Sequence, residues 1–228
     1  MNITAYQAAI ELSERAHRGQ IRKGTKLEYF THPLAVSSMV MGYGGSYSQA
    51  IGGLCHDILE DCGAHYREEI GAIDPVALII AQDASDCVKG EGPKAGWHQR
   101  KLNYLTNFRN KDPRSYLVIC CDKIHNSGDT LRESEIIGYA ALQKFRAEPE
   151  LVLWYFVTLA CELTYAAEIG HMPMAAAAQL RNNVFRMLEI YEKEHCWAWG
   201  SFDDRSTKVY DALRGQLLFS TPFVCDLD

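Results

Sequence analysis

His56-Asp57-Ile58-Leu59-Glu60-Asp61 is the stretch on which the reading of this chain turns. Thr31-His32-Pro33 lies upstream of it and Cys121-Asp122-Lys123-Ile124-His125-Asn126 downstream. Residues four apart on an α-helix share a face, so His56 aligns with Glu60 and Asp57 with Asp61. A metal held by His56 and Asp57 would leave Glu60 and Asp61 one turn along the same helix. That is the place for groups acting on a substrate or water beside the metal. His32 and Asp122 would complete the set from other helices. Two imidazoles and two carboxylates leave positions open for water or a phosphate oxygen. This mixed nitrogen and oxygen set suits Mn²⁺ better than Zn²⁺, with Fe²⁺, Co²⁺ and Mg²⁺ as other candidates. One ion per chain is expected.

Helical periodicity dominates outward from this stretch. Ala5, Ala9, Leu12 and Ala16 fall on one helix face. Pro33 suits the first turn of a second helix, where its missing N–H is not needed. Ser48 is the expected cap of a third helix carrying Ala50, Ile51, Leu54 and Ile58. Asp74-Pro75 is a start signal for a fourth, and Gly90-Glu91-Gly92-Pro93-Lys94-Ala95-Gly96 is a loop. Further helices are expected over 97–108, 114–133, 136–147, 150–169, 174–194 and 204–218. No segment alternates with period two. The expectation is one all-α domain over residues 1–228 without a linker, a bundle of about eight to ten helices.

The chain has 228 residues, 47% of them hydrophobic, enough for a packed core. Its formal net charge of −6 argues against a general nucleic-acid binder, which usually shows a basic face. A local basic cluster can still hold a small anion. The eight cysteines show no paired spacing, so neither a zinc knuckle nor a disulfide framework is expected. Thiols in this number fit a reducing cytoplasm. The N-terminus does not read as a signal peptide. Leu151 to Leu163, the most apolar stretch, is shorter than the ~20 residues of a spanning helix, so no membrane partner is expected. A homo-oligomer is compatible with the sequence.

Arg18, Arg22 and Lys23 place three positive charges within six residues, just before His32. Arg22 and Lys23 can hold phosphates or stack on a base. His17 and His125 lie near the motifs and can orient ligands. Trp97-His98-Gln99-Arg100-Lys101 begins a helix that either packs or faces phosphate. Trp154-Tyr155-Phe156 reads as core.

Taken together, the motifs resemble the hydrolase domain of RelA/SpoT homologues, and specifically the small stand-alone alarmone hydrolases. The likeness rests on Ala16-His17-Arg18-Gly19-Gln20-Ile21-Arg22-Lys23, Tyr29, His32-Pro33, His56-Asp57-Ile58-Leu59-Glu60-Asp61 and Asp122-Lys123-Ile124-His125-Asn126. With Trp97 to Lys101 and Leu153-Trp154-Tyr155 it covers residues 16 to about 160. No synthetase domain is expected after it. The resemblance implies an HD-domain helical bundle with the helices of 174–218 packed on the motif core. It also implies a cytoplasmic Mn²⁺ enzyme that removes pyrophosphate from the 3′ position of ppGpp, pppGpp or an adenosine counterpart, with a small nucleotide as its partner. By the family pattern His32, His56, Asp57 and Asp122 hold the metal, and Glu60 and Asp61 are catalytic. Arg22, Lys23 and Asn126 seat the nucleotide, and Arg18 belongs to the same basic cluster. One departure stands out: Gly128 occupies a position where the family has an arginine, which predicts weaker discrimination between guanine and adenine. Two alternatives carry the same metal: another HD nucleotide phosphatase (a 5′-nucleotidase or an NADPH phosphatase), and a hydrolytic antitoxin that neutralises an alarmone-producing toxin. A non-catalytic binding protein would not need the intact ligand set.

Overall fold

A computed structural model of the chain describes residues 3–199 and 212–216. Ten α-helices follow one another: α1 (Ile3–Ala16), α2 (Thr31–Gly42), α3 (Tyr47–Cys55), α4 (Ile58–Asp61), α5 (Arg67–Ile73), α6 (Pro75–Ala84), α7 (Trp97–Thr106), α8 (Ser115–Ile137), α9 (Pro149–Glu168) and α10 (Met174–Trp199). The all-α expectation holds: among the described residues the only extended pairing is an isolated bridge, Ile21 to Glu28, which closes the basic loop before α2. The helix expected over 204–218 lies largely outside the described residues, of which 212–216 are helical.

The long helix α8 is the centre of the bundle. It packs against α2, α3, α6, α9 and α10. Every residue from Ser115 to Asp122 is buried, so its first two turns are enclosed on all sides. Of the apolar helix α9, 72% of its most hydrophobic window is buried; it is a core helix, although its 20 residues would match a spanning segment by length. A smaller core gathers Leu12, Ile51, Leu54, Ile58, Leu59 and Ile70 from α1, α3, α4 and α5. Helix α3 serves both cores, since Ala50 belongs to the larger one.

Three local expectations are corrected. Ser46, not Ser48, caps α3: its Oγ accepts from Gln49 N–H at 3.2 Å while its N–H donates to Gln49 Oε1 at 2.9 Å, a reciprocal capping box. Ser48 sits inside the helix and donates to Asp74 Oδ2, while Asp74 Oδ1 caps α6 by accepting from Val76 and Ala77 N–H. The helix expected to run from α3 through Ile58 is interrupted at His56 and Asp57. The Gly53 carbonyl, which the Asp57 N–H would reach in an unbroken helix, takes the His56 ring nitrogen at 2.8 Å. Finally, the helix expected over 136–147 is a continuation of α8 to Ile137 followed by a 3₁₀ segment, Gly138–Lys144. Gly138 divides them with φ +69°, a conformation that ends an α-helix.

The site depends on how closely α3 approaches its neighbours. A Cβ on Gly52 would stand 2.8 Å from two side-chain atoms of fully buried Ile80 on α6, and one on Gly53 would stand 3.0 Å from the Ser37 Cα on α2. Alanine is the better helix former, but overpacking a closed core costs about 1–3 kcal/mol and outweighs that gain. Gly52→Ala is therefore expected to lower the midpoint of thermal unfolding, and Ile80→Val in the same chain to recover part of the loss. A midpoint equal to or above that of the wild type would contradict this packing.

Candidate metal centre and its pocket

Four side chains from three places in the chain meet here. His32 is the second residue of α2, His56 and Asp57 form the break between α3 and α4, and Asp122 lies in the enclosed half of α8. His56 Nε2 is 3.0 Å from Asp57 Oδ2 and 3.7 Å from Asp122 Oδ1. His32 Nε2 is 3.4 Å from Asp57 Oδ2 and 3.1 Å from Asp122 Oδ1. The two Nε2 atoms are 3.2 Å apart. Both imidazoles are buried.

The surrounding contacts fix how these groups point. His56 Nδ1 donates to the Gly53 carbonyl, so Nε2 is the ring nitrogen that faces the cluster. His32 Nδ1 meets His125 Nδ1 at 3.0 Å. Tyr29 OH donates to Asp57 Oδ2 at 2.6 Å. On α8, Lys123 Nζ pairs with Asp122 Oδ2 at 2.6 Å and Asn126 Nδ2 donates to Asp122 Oδ1. Burial works against a charge on His56, but Asp57 and Asp122 outweigh it and hold the imidazole well above its usual range. Burial would likewise raise both aspartates; His56 holds Asp57, and Lys123 holds Asp122, well below the carboxylate range. Two ring nitrogens facing each other between two carboxylates form a donor set that a divalent cation fits.

Glu60 and Asp61 follow on α4. Glu60 Oε2 accepts the Asp86 N–H at 3.3 Å, and Arg100 and Lys94 stand 3.8 and 4.0 Å from Oε1. Burial raises the Glu60 pKa. Asp61 is pushed up to about 7, by burial first and then by the Asp57 and Glu60 charges. Both line a recess of about 330 Å³ under the 87–94 loop. The Glu60 and Asp86 carboxylates and the Cys87 thiol also lie close enough to share an ion. Arg100 and Lys101 already neutralise Asp86, and burial keeps the Cys87 thiol protonated, so this second group is a poorer cation site.

A larger cavity of about 640 Å³ adjoins the four-residue cluster: its wall residues Tyr29, Lys123 and Asn126 contact Asp57 or Asp122. Arg22 forms part of its wall, with its guanidinium paired to Asp129, 3.2 Å from Asn126 Oδ1 and over the Tyr29 ring. Lys23 lies over Phe145. Arg18 is not brought to the cavity: it pairs with Glu14 one turn back on α1, and its side chain is 69% exposed. Sequence reasoning missed several wall residues. Lys101, on the helix read as packing or facing phosphate, and Lys123 stand 4.7 and 5.7 Å from the Tyr155 ring centroid; Tyr155 and Phe156 are core, as read, and also line the cavity. Lys144 is also part of its wall. The space at Gly128 is met from one turn further along by Arg132, whose NH1 lies 3.6 Å from where a Cβ would sit.

A family model described as HD domain matches residues 9–135. A GTP pyrophosphokinase of Streptomyces coelicolor is 33% identical over 125 residues, 53% of this chain and 14% of that protein. The bifunctional (p)ppGpp synthase/hydrolase SpoT of Escherichia coli is 26% identical over 132 residues, 54% of this chain and 18% of its own length. A guanosine-3′,5′-bis(diphosphate) 3′-pyrophosphohydrolase of Borreliella burgdorferi is 33% identical over 119 residues, 52% and 18% respectively. The match thus spans less than a fifth of each of these relatives. A solved structure of a metazoan ortholog of SpoT, described as hydrolysing ppGpp and acting in starvation responses, superposes with a TM-score of 0.53 at 18% identity, covering 83% of this chain and 95% of that one. At that identity the superposition speaks for the fold.

The raised Asp61 pKa has a measurable sign. A carboxyl whose folded pKa lies above its unfolded value favours the fold at low pH, and that contribution is lost as pH rises through the folded value. In metal-free protein, wild type should lose stability between about pH 4 and 7 relative to Asp61→Asn. Parallel thermal unfolding curves for the two across that window would contradict the assignment.

Proposed function

The chain belongs to the HD-domain family, and from that premise we propose that it is a metal-dependent phosphohydrolase that removes pyrophosphate from the 3′ position of ppGpp-class nucleotides, with guanine or adenine as the base. The observation that carries this reading is the cationic, aromatic cavity whose wall residues Tyr29, Lys123 and Asn126 are bonded to Asp57 and Asp122 of the two-histidine, two-aspartate cluster. Relatives named for ppGpp hydrolysis support the substrate class.

His32, His56, Asp57 and Asp122 would hold one Mn²⁺ per chain. A divalent ion there would make water a better nucleophile and draw charge from the phosphate. The rest falls to side chains. Arg22, stacked on Tyr29, and Lys23 receive the base and its nearest phosphate, with Asn126 beside them. Lys101 and Lys123 offset the charge of the 3′ diphosphate. Water adds to the phosphorus that carries the ribose 3′ oxygen, the bond between that phosphorus and oxygen breaks, and the oxygen leaves with a proton. The products are a nucleoside 5′-di- or triphosphate and pyrophosphate. Glu60 and Asp61, both raised by burial, take the proton from water and supply the one the 3′ oxygen needs. Arg132 beside Gly128 restores a cation near the base end of α8. The six described cysteines are free thiols, in keeping with a cytoplasmic setting. The described helices form one hydrolase unit on this reading.

Mass spectrometry of products from ppGpp, ppApp and NADPH with Mn²⁺ tests the proposal. Pyrophosphate and a 5′-diphosphate are expected from one or both alarmones; orthophosphate from NADPH alone would overturn it. Glu60→Gln and Asp61→Asn should retain bound metal and lose about 10²–10⁴ of kcat, and near-normal turnover would remove them from the chemistry. Arg22→Ala should raise KM clearly more than Arg15→Ala, whose guanidinium pairs with Glu69 on the surface. Equal KM values would place Arg22 outside the binding site.

A further inference from the structure

Asp86 lies on the segment joining α6 to α7, and its side chain is 1% exposed. A carboxylate so buried is costly unless paired. Its two cationic partners come from one turn of α7: Arg100 NH1 on Oδ1, and Lys101 Nζ on Oδ2 at 2.6 Å. Burial alone would raise its pKa, yet Lys101 and the neighbouring donors hold it at about 2. Its backbone N–H donates to Glu60 Oε2, and Arg100 spans the gap to Glu60 Oε1. One buried carboxylate therefore joins α7 to the end of α4 where Glu60 sits.

The consequence falls on Lys101. Its ammonium shares the Tyr155 ring with that of Lys123. Two ammoniums over one ring repel, and each is held by its own buried carboxylate, Lys123 by Asp122 and Lys101 by Asp86. Burial and Lys123 act against a charge on Lys101, and Asp86 supports it together with Tyr155 and Glu60. Without Asp86 the lysine would lose the ion pair that fixes its place. What is lost is a directed donor on the cavity wall.

We propose that Asp86 is a positioning residue for the phosphate-binding wall, fixing Lys101 over Tyr155 and Arg100 beside Glu60 so that a diphosphate in the cavity meets a second ammonium alongside Lys123. The inference rests on the phosphohydrolase reading, but its test is equilibrium binding.

The probe is inorganic pyrophosphate, titrated calorimetrically into the full chain loaded with Mn²⁺. Asp86→Asn is expected to weaken binding about tenfold or more, and Lys101→Met by a similar factor. The double variant should bind no more weakly than the worse single one, because both changes remove the same contact. Asp86→Glu, which keeps the charge, should restore most of the affinity, with metal content equal throughout. Unchanged affinity in Asp86→Asn overturns the inference, as do additive losses in the double variant. If Asp86→Asn does not fold, Lys101→Met against the double variant decides: equal affinity supports the inference and a further loss overturns it. Turnover separates this from the functional reading. A wild-type chain that follows the binding cycle but releases no pyrophosphate from any nucleotide 3′-diphosphate contradicts the reading and leaves the role of Asp86 standing.

Discussion

The contact between His56 Nδ1 and the Gly53 carbonyl is the constraint on which the site depends. It lies where α3 stops, and it leaves the His56 Nε2 directed at Asp57, Asp122 and His32. At the interruption His56 Nε2 and Asp57 Oδ2 come within 3.0 Å of each other, while α4 carries the two acids to the recess beside them. Gly52 and Gly53 make this possible from behind by letting α3 approach α6 and α2 without a Cβ between them. The packing of three helices and the aim of one imidazole are thus a single arrangement.

The second organising feature is the way buried charges are paired. Asp122 holds Lys123 and Asp86 holds Lys101, and both lysines come to the same tyrosine. Arg22 is held by Asp129 and backed by His125, which in turn touches His32. An acidic chain so builds a cationic wall without leaving any of these cations alone in a low-dielectric interior, where an unpaired charge is most costly. Because Asp122 touches both Lys123 and the imidazole cluster, a change at Lys123 on the cavity wall is one contact away from the two imidazoles.

Much of this was legible in the sequence because the decisive residues are close together or of rare type. His56 and Asp57 are adjacent, Asp74-Pro75 marks a helix start with its own side chain, and the all-α character follows from periodicity. The Ser46 cap was also readable, since Gln49 three residues on completes a capping box, and Ser48 has no such partner. Arg18 carried a visible signal too: Glu14 lies one helical turn back and claims it. The break at His56 was not readable, because it depends on a ring nitrogen meeting a carbonyl three residues earlier. Nor was the wall formed by Lys101, Lys123 and Tyr155, whose members sit on α7, α8 and α9 and meet only through packing. The same holds for Asp86, which looks like any loop aspartate until α7 is laid over it.

Anomalous diffraction from crystals grown with Mn²⁺ tests the central claim most directly. The account predicts one manganese peak per chain, within bonding distance of His32 Nε2, His56 Nε2, and the Asp57 and Asp122 carboxylates. A peak seated instead among Glu60, Asp86 and Cys87, or no peak at the four-residue cluster in crystals that diffract well enough to show it, would contradict the account.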